Sequence, residues 1–362
     1  TLISLALATA RLVCAQPVDA ASRAPAASPL PGFNYDEPFF PNARYDAAVP
    51  TPDAVLGFPV GSKPANATQI EAVLKAIAAR SPRVKLFEYG RTHEGRPLHY
   101  LVIASEANLR RLDALKADYA RLADPRKISK EAGDRLAGAL PALAWMAYAI
   151  HGNEASGSDA SLAVAHHLAA STDADVKSLL DEIVVVIDPL MNPDGRDRHV
   201  LALAQNRTTQ PSVDDQSMLH TSSWPQGRTN HYLFDLNRDW LFASQPETRG
   251  RIRAIGGWNP HYLVEGHEMS PQSTFAFYPA SEAVNSNFPE HVANGRPGLA
   301  RISRRPLTGA AGGTSTAKPT TTGIRDTRRP GPPCAGSSTI STSRPASAAT
   351  RCAASCCASV VH

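Results

Sequence analysis

The stretch that most constrains the fold of this chain is Ala142–Ser158, which reads A-L-A-W-M-A-Y-A-I-H-G-N-E-A-S-G-S. It opens with nine residues that carry no charge, a run that is too short to cross a membrane. Such a run is typical of a buried β-strand. A helix is predicted over Asp159–Ala170, so His151 and Glu154 follow the carboxyl end of the strand. Open α/β sheets place their ligand sites at this edge.

His151 and Glu154 offer an imidazole and a carboxylate that a tight turn brings to the same side of the chain. The spacing alone is weak, because an ordinary surface pair has the same spacing. Its position after an apolar strand favours a metal site. Zn²⁺ accepts nitrogen and oxygen ligands together, and a catalytic zinc has three protein ligands and one open position. A third ligand is therefore required from another part of the chain.

The segment 261–279, H-Y-L-V-E-G-H-E-M-S-P-Q-S-T-F-A-F-Y-P, offers that ligand. Tyr262–Val264 is predicted to be a strand, and His267 falls just past its end, as His151 does in the first segment. We therefore predict that His151, Glu154 and His267 bind one zinc ion. The fourth position would hold a water molecule, whose pKa the metal lowers to roughly 7.

Between these segments lies Phe234–Trp240, which reads F-D-L-N-R-D-W. Asn237 and Arg238 place an amide beside a planar fork of donors, which suits two-point binding of a carboxylate. Asp235 alternates with Asn237, so it can lie under the site and accept a hydrogen bond from a metal-bound histidine. Taken singly, Asn237 and Arg238 also fit a solvated loop, and Asp235 also fits a helix cap.

The ordered set of motifs H-G-N-E, D-P-L-M-N-P-D-G, D-L-N-R-D-W and E-G-H-E resembles the zinc carboxypeptidase family of the carboxypeptidase A type. The resemblance covers roughly residues 50–290 and includes the turn G-R-T-H-E-G-R-P-L at Gly90–Leu98. For the fold it implies a three-layer α/β/α domain around a mixed, mostly parallel sheet.

The resemblance also implies a role for each matched residue. The implied zinc ligands are the three residues already singled out, His151, Glu154 and His267. Asn237 and Arg238 would bind the C-terminal carboxylate of a peptide. In this family an arginine upstream of the Asn–Arg pair polarises the scissile carbonyl and stabilises its oxyanion. Arg228, in G-R-T-N, is the predicted equivalent, and Arg207 is the second choice.

The family further requires a glutamate near the end of the domain as general base, usually preceded by a tyrosine. This chain has no glutamate after Glu290 and no aromatic Phe, Tyr or Trp after Phe288. Glu265 lies on a predicted strand, and Glu268 would point away from the ligand in an extended chain, so neither is predicted to replace it. We expect a sheet that is incomplete at its C-terminal end, and slow turnover, since general acid–base assistance contributes about 10²–10⁴-fold.

Residues 297–362 differ from the rest of the chain in composition. They carry eight Arg and one Lys against one Asp, a net +8, so the other residues carry −4 of the whole-chain charge of +4. The basicity belongs to this tail, and no nucleic-acid partner is predicted.

Four of the five cysteines also lie there, and the body between Cys14 and Cys334 has no thiol for a disulfide or a metal. This composition predicts a low-complexity tail that is either disordered or read out of frame from near residue 297, and the excess of Arg over Lys favours the second hypothesis.

The N-terminal residues predict export. Residues 1–15 resemble the apolar region of a secretory signal, and a linker rich in Ala, Pro and Ser follows them.

The predicted organisation of the chain is therefore a signal-peptide remnant (1–15), a linker and N-terminal extension (16–49), a zinc carboxypeptidase-like domain (50–296) and the tail (297–362). The expected location is secreted or periplasmic, without a membrane span. No feature of the sequence indicates an oligomeric state.

Periodic patterns predict the other elements. A helix is expected to begin after Asn66 or Thr68, with Thr68 and Glu71 spaced as a capping box. A second amphipathic helix is expected over Leu109–Leu122. Further strands are predicted at Val84–Tyr89, Leu98–Ile103 and Ile183–Ile187. Alternating strands and helices indicate an α/β sheet that is covered on both faces.

The sequence favours a zinc-dependent metallocarboxypeptidase that hydrolyses the C-terminal residues of peptides or peptide-like substrates with a metal-activated water. One alternative is a zinc-dependent deacylase of N-acyl amino acids, because related folds share the H-x-x-E pair and a distant His. Another is a non-catalytic zinc- or peptide-binding remnant that has lost the general base. The D-L-N-R-D-W segment favours the peptidase over the deacylase.

Overall fold

The computed structural model describes residues 38–207, 217 and 224–268, together with the strand backbone of residues 337–342. The strands are β1 (Val84–Arg91), β2 (Pro97–Ile103), β3 (Ala142–Tyr148), β4 (Ile183–Asp188), β5 (Tyr262–Glu268) and β6 (Ser337–Thr342). The helices are α1 (Pro52–Leu56), α2 (Ala67–Arg80), α3 (Glu106–Arg110), α4 (Leu112–Ala123), α5 (Lys130–Ala139), α6 (Ala155–Ala170), α7 (Ala174–Glu182), α8 (Pro193–Asn206) and α9 (Pro246–Trp258). Two short 3₁₀ turns cover Pro125–Lys127 and Leu236–Arg238.

The strands form one mixed sheet in the order β1-β2-β4-β3-β5-β6. β3 lies between β4 and β5 and is parallel to both, and β6 is parallel to β5. β2 pairs antiparallel with β1 and with β4. Every residue of β3 after Ala142 is buried, as expected for a strand covered on both faces.

Two apolar clusters cover the two faces of the sheet. One face is covered by residues of α2 and α6, including Ile70, Val73, Leu74, Ile77, Leu162 and Leu168. The other face is covered by residues of α4 and α9, including Leu112, Leu115, Tyr119, Ile255 and Trp258. The predicted three-layer α/β/α fold with a mixed, mostly parallel sheet is therefore confirmed.

The start of α2 differs from the prediction. Asn66 is the cap, and its side chain accepts a hydrogen bond from the Gln69 amide at 2.8 Å. The Gln69 side chain accepts in return from the Asn66 amide at 3.0 Å. Because the helix begins at Ala67, the capping box is formed by Asn66 and Gln69, and the predicted box of Thr68 and Glu71 is wrong.

The amphipathic helix predicted over 109–122 is two helices. α3 ends at Arg110 and α4 begins at Leu112, with Arg111 outside helical geometry at φ −107° and ψ 21°. Asn108 fastens the short helix to the end of α7, since its side-chain amide donates to the carbonyls of Leu180 and Asp181 at 3.2 and 2.9 Å. This long-range contact is not visible in the periodicity of the sequence.

β5 is longer than predicted. Its pairing with β3 reaches Gly266, and its last two residues pair with β6, His267 with Ser341 and Glu268 with Thr342. His267 therefore lies within the strand, and the prediction that it falls just past the end is wrong. β6 also places six residues of the 297–362 segment in the sheet. The remainder of that segment, and the predicted signal region 1–15, lie outside the described residues.

In the part of the chain that the structure describes, no helix combines the length and the apolar character that are needed to cross a membrane.

Candidate metal centre

The loop after β3 carries the first two candidate ligands and is tightly packed. Ala149 has a positive φ of 52°, and the amide of Met191 donates to the Tyr148 carbonyl at 3.0 Å. A Cβ atom at Gly152 would lie within 2.7 Å of the Gly227 carbonyl oxygen and closer still to the backbone at the start of α8. Only glycine fits at this contact, so the backbone between His151 and Glu154 is held in one path.

His151, Glu154 and His267 converge at the carboxyl edge of the sheet. One ligand atom from each lies within 4.8 Å of the other two. His151 Nδ1 is 2.7 Å from Glu154 Oε1, and His267 Nδ1 is 2.8 Å from Glu154 Oε2. The side chains are 3%, 10% and 11% exposed, respectively. The structure thus brings together the three residues that the sequence analysis singled out.

Hydrogen bonds and opposite charges within this cluster shift the pKa values of Glu154 and His267. Burial alone would raise the pKa of Glu154, but the hydrogen bonds with His151 and His267 outweigh burial and lower this pKa to about 2. Burial alone would lower the pKa of His267, but Glu154 and Glu265 outweigh it and raise this pKa to about 10. Two imidazole nitrogens and a carboxylate also form a ligand set found in catalytic zinc sites, so the residues fit a zinc ion that would compete with protons for them.

The ring nitrogen of His151 that faces away from Glu154, Nε2, contacts the carboxylate of Asp235. His151 Nε2 lies 3.1 Å from Asp235 Oδ1. The other oxygen of Asp235 accepts hydrogen bonds from Arg228 at 3.0 and 3.2 Å, and Arg228 Nη1 is 3.6 Å from Glu154. Burial opposes ionisation of Asp235, but His151 and Arg228 lower its pKa below its usual range. Asp235 therefore contacts His151 directly, and its role behind a metal-bound histidine stays a prediction.

The outer nitrogen of His267 faces two further side chains. His267 Nε2 is 3.3 Å from Asn237 Nδ2 and 3.6 Å from Glu265 Oε2. The sequence analysis did not assign Glu265 a place beside His267. The signal was present, because residues two apart on a strand face the same way.

Glu268 follows His267, and its side chain points away from the His151–Glu154–His267 cluster towards Ser156. Its carboxylate accepts from the amide and hydroxyl of Ser156 at the start of α6. Burial raises the pKa of Glu268 to about 7. Its backbone amide donates to Glu154 Oε2 at 3.1 Å, so the main chain of this residue, and not its carboxylate, contacts the ligand cluster.

Asn237 and Arg238 lie on the 3₁₀ turn Leu236–Arg238. Asp235 caps this turn by accepting from the Asn237 amide at 2.9 Å, and the buried Leu236 anchors it. Arg238 is exposed, and its Nη1 donates to the Asn237 carbonyl at 3.1 Å. Of the two candidate arginines, Arg228 contacts the ligand cluster among the described residues, whereas Arg207 follows the end of α8 and is exposed.

The turn between β1 and β2 contacts the start of α8, near the carboxyl edge of the sheet where the candidate ligands lie. Thr92 Oγ1 and Arg96 Nη1 each donate to Asp194 Oδ1 at 2.7 Å, and the Asp194 side chain is fully buried. The G-R-T-H-E-G-R-P-L and D-P-L-M-N-P-D-G segments are therefore joined, and their contact fixes the start of α8.

An α/β/α fold that gathers two histidines and a glutamate at the carboxyl edge of its sheet presents a group of side chains that could hold a metal ion. The model of the zinc carboxypeptidase family matches residues 70–290, more than half of the 362 residues, and the chain belongs to this family. The predicted family is confirmed, and the deacylase alternative is not favoured.

One curated relative and two solved structures are similar to parts of this chain. The protein named "Probable carboxypeptidase 2" from Trichophyton verrucosum is 27% identical over 131 residues, which are 36% of this chain and 20% of the relative. The chain thus matches about a fifth of the length of this fungal protein. A metallo-carboxypeptidase from Burkholderia cenocepacia shares the fold with a TM-score of 0.51 at 16% identity, over 82% of this chain and 69% of that one. One from Pseudomonas aeruginosa has a TM-score of 0.50 at 14% identity, over 82% and 68%.

Proposed function

We propose that this protein is a zinc-dependent metallocarboxypeptidase that removes C-terminal residues from peptides. The observation that carries the proposal is the convergence of His151, Glu154 and His267 at the carboxyl edge of the sheet, in a chain of the zinc carboxypeptidase family. These three residues would hold one zinc ion through two imidazole nitrogens and a carboxylate. Bound zinc supplies a Lewis acid and lowers the pKa of water to about 7.

Asp235 orients His151 in this proposal. Its hydrogen bond to Nε2 leaves Nδ1 facing Glu154, so both candidate histidines present Nδ1 to the centre of the cluster. A carboxylate behind a ligand histidine fixes the tautomer and raises the basicity of the ligand.

Three donors would bind the substrate: Arg228 and Asn237, which contact residues of the cluster, and Arg238, which follows Asn237 in the chain. The exposed guanidinium of Arg238 and the amide of Asn237 can bind a terminal carboxylate in two-point fashion. Arg228 lies 3.6 Å from Glu154, so it can stabilise the negative charge that develops on the scissile carbonyl oxygen. A free C-terminal carboxylate is therefore the expected recognition element.

The proposal is tested by hydrolysis of a short peptide with a free C-terminus and of the same peptide as its C-terminal amide. The zinc-loaded full chain should release the last residue of the free acid only, and removal of zinc by a chelator should abolish release. Arg238→Met should raise KM far more than it lowers kcat, because it removes a carboxylate contact. Arg253→Met, at an exposed position of α9, is the matched control and should change neither.

No glutamate follows Glu290 in this sequence to act as the general base of the family, and this expectation sets the predicted rate. Without a positioned proton acceptor, we expect turnover about 10²–10⁴-fold below that of an ordinary enzyme of this kind. Binding of the free-acid peptide without any product would instead support the non-catalytic zinc- or peptide-binding remnant. Equal cleavage of the acid and the amide, or equal cleavage with and without zinc, would contradict the proposal.

Export is also proposed, on the apolar composition of residues 1–15 and the linker behind them. N-terminal sequencing of the mature protein tests it. The expected first residue is Gln16, because Val13 and Ala15 are the small residues that precede a signal cleavage site. A mature protein that retains residues 1–15 would contradict export by a cleaved signal.

A further inference from the structure

Asn192 is a fully buried amide at the start of α8, outside the ligand cluster. Its Nδ2 donates to two backbone carbonyls, that of Ile150 at 3.3 Å and that of Arg228 at 3.2 Å. Its Oδ1 accepts from the Gly195 amide at 3.0 Å and so caps the helix. One side chain therefore uses both of its polar atoms on three separate segments.

The segments that Asn192 joins are the ones that carry the proposed chemistry. Ile150 is bonded directly to His151, the first ligand, and Arg228 is the proposed oxyanion donor. The backbones of these segments are also closely packed, since an added Cβ at Gly152 or Gly195 would lie within 2.7 Å of the Gly227 carbonyl oxygen. A change in the amide contacts would thus move the ligand loop and the arginine loop relative to each other.

We infer that Asn192 is a positioning residue that fixes the distance between the metal-ligand loop and the loop of Arg228. This inference rests on the proposed function, from which the roles of His151 and Arg228 come. A helix cap needs only the side-chain oxygen, and Ser or Asp would cap equally well. The two donations from Nδ2 are not needed for capping, and they are the contacts that reach the site.

The test uses Asn192→Asp, which keeps a capping oxygen and removes the donor, and Asn192→Ser, which keeps a capping oxygen but whose single hydroxyl cannot make both donations of the amide. The matched control is Asn108, whose buried amide also donates to two carbonyls, those of Leu180 and Asp181, next to the opposite end of β4. Zinc affinity is measured by competition with a chromogenic chelator. The values of kcat and KM are measured for hydrolysis of the free-acid peptide.

Both Asn192 variants should bind zinc about 10–100-fold more weakly than the unaltered chain, the range typical of outer-shell changes. They should also lower kcat more than they raise KM. Asn108→Ser and Asn108→Asp should leave zinc affinity unchanged, even where they lower stability equally. Zinc affinity that is unaltered in Asn192→Ser would overturn the inference and leave Asn192 as a helix cap only.

A measurement on the unaltered chain covers the case in which the Asn192 variants do not fold. The side-chain amide NMR signal of Asn192 should shift when zinc is added, whereas that of Asn108 should not. An Asn192 signal that zinc leaves in place would overturn the inference. A chain that binds no zinc at all would instead overturn the proposed function, so the two failures are distinguishable.

Discussion

At the scale of single residues, burial decides the charge of His199. The side chain is 9% exposed, and its Cβ lies against Gly227, next to the loop of Arg228. Burial and repulsion by Arg196 lower the pKa of His199 to about 4. The folded chain therefore holds this imidazole neutral at a pH where the unfolded chain, with a histidine pKa of about 6.5, is already protonated.

His199 should make the protein less stable in acid. Between about pH 6.5 and pH 4 the unfolded state binds more protons, so the free energy of unfolding falls as the pH falls. From pH 7 to pH 5 the loss due to His199 should be about 2 kcal/mol. His199→Asn should remove that part of the pH dependence, as measured by urea unfolding at both values. Leu201→Asn, at an exposed position of the same helix that carries no titrating group, is the control and should lose stability as the unaltered chain does. Equal losses in His199→Asn and the unaltered chain would contradict this account.

The three candidate ligands were singled out from the sequence because each lies at or near the end of a strong apolar strand signal. His151 and Glu154 follow β3, and His267 is the next-to-last residue of β5. The partners of these ligands were harder to predict. Asp235 was singled out by its alternation with Asn237, although the structure has a 3₁₀ turn there and not a strand. Glu265 was not placed beside His267, although the two residues lie two apart on β5, because the strand was predicted too short.

At the scale of elements, the start of α8 is the point on which the site is assembled. Asp194 binds the β1–β2 turn, Gly195 contacts the loop before Arg228, and Asn192 caps the helix. A Cβ at Gly195 would lie 2.5 Å from the carbonyl oxygens of Gly227 and Thr229. These are backbone atoms, so a side chain at this position has no flexible neighbour to displace.

Gly195→Ala should therefore destabilise the chain by about 1–3 kcal/mol, the typical cost of overpacking. Gly256→Ala in α9 is the matched control, because its Cβ would meet nothing within 4 Å. There the gain in helix propensity should stabilise the chain by about 0.5–1 kcal/mol. Urea unfolding of both variants measures the difference. Two glycines that tolerate alanine equally would show that the loops at α8 are not closely packed.

The type of each element followed from periodicity, but its ends depended on distant contacts. β5 extends to Glu268 because β6 supplies a partner for its last two residues. The break at Arg111 separates α3, which Asn108 fastens to the end of α7, from α4. Such contacts join residues that are far apart in the sequence, so no local pattern contains them.

At the scale of the whole molecule, the alternation of strands and helices was sufficient to predict the three-layer fold. The strand order was not predictable in the same way, because it depends on which crossovers pack well.

The out-of-frame hypothesis for residues 297–362 stays a prediction. Sequencing the gene across these codons tests it, and a second frame that encodes aromatic residues and a glutamate would support it. A confirmed frame with no such segment would contradict it.

The central claim is that His151, Glu154 and His267 form one zinc site. The most direct test is the zinc content of the full chain after equilibrium dialysis, compared with that of His267→Gln. The control is His261→Gln, at a histidine just before β5 whose Nδ1 accepts from the Leu143 amide at 2.9 Å. We predict one tightly bound zinc per chain in the unaltered protein and in His261→Gln, and none in His267→Gln. Zinc that remains equally bound in His267→Gln would contradict the account.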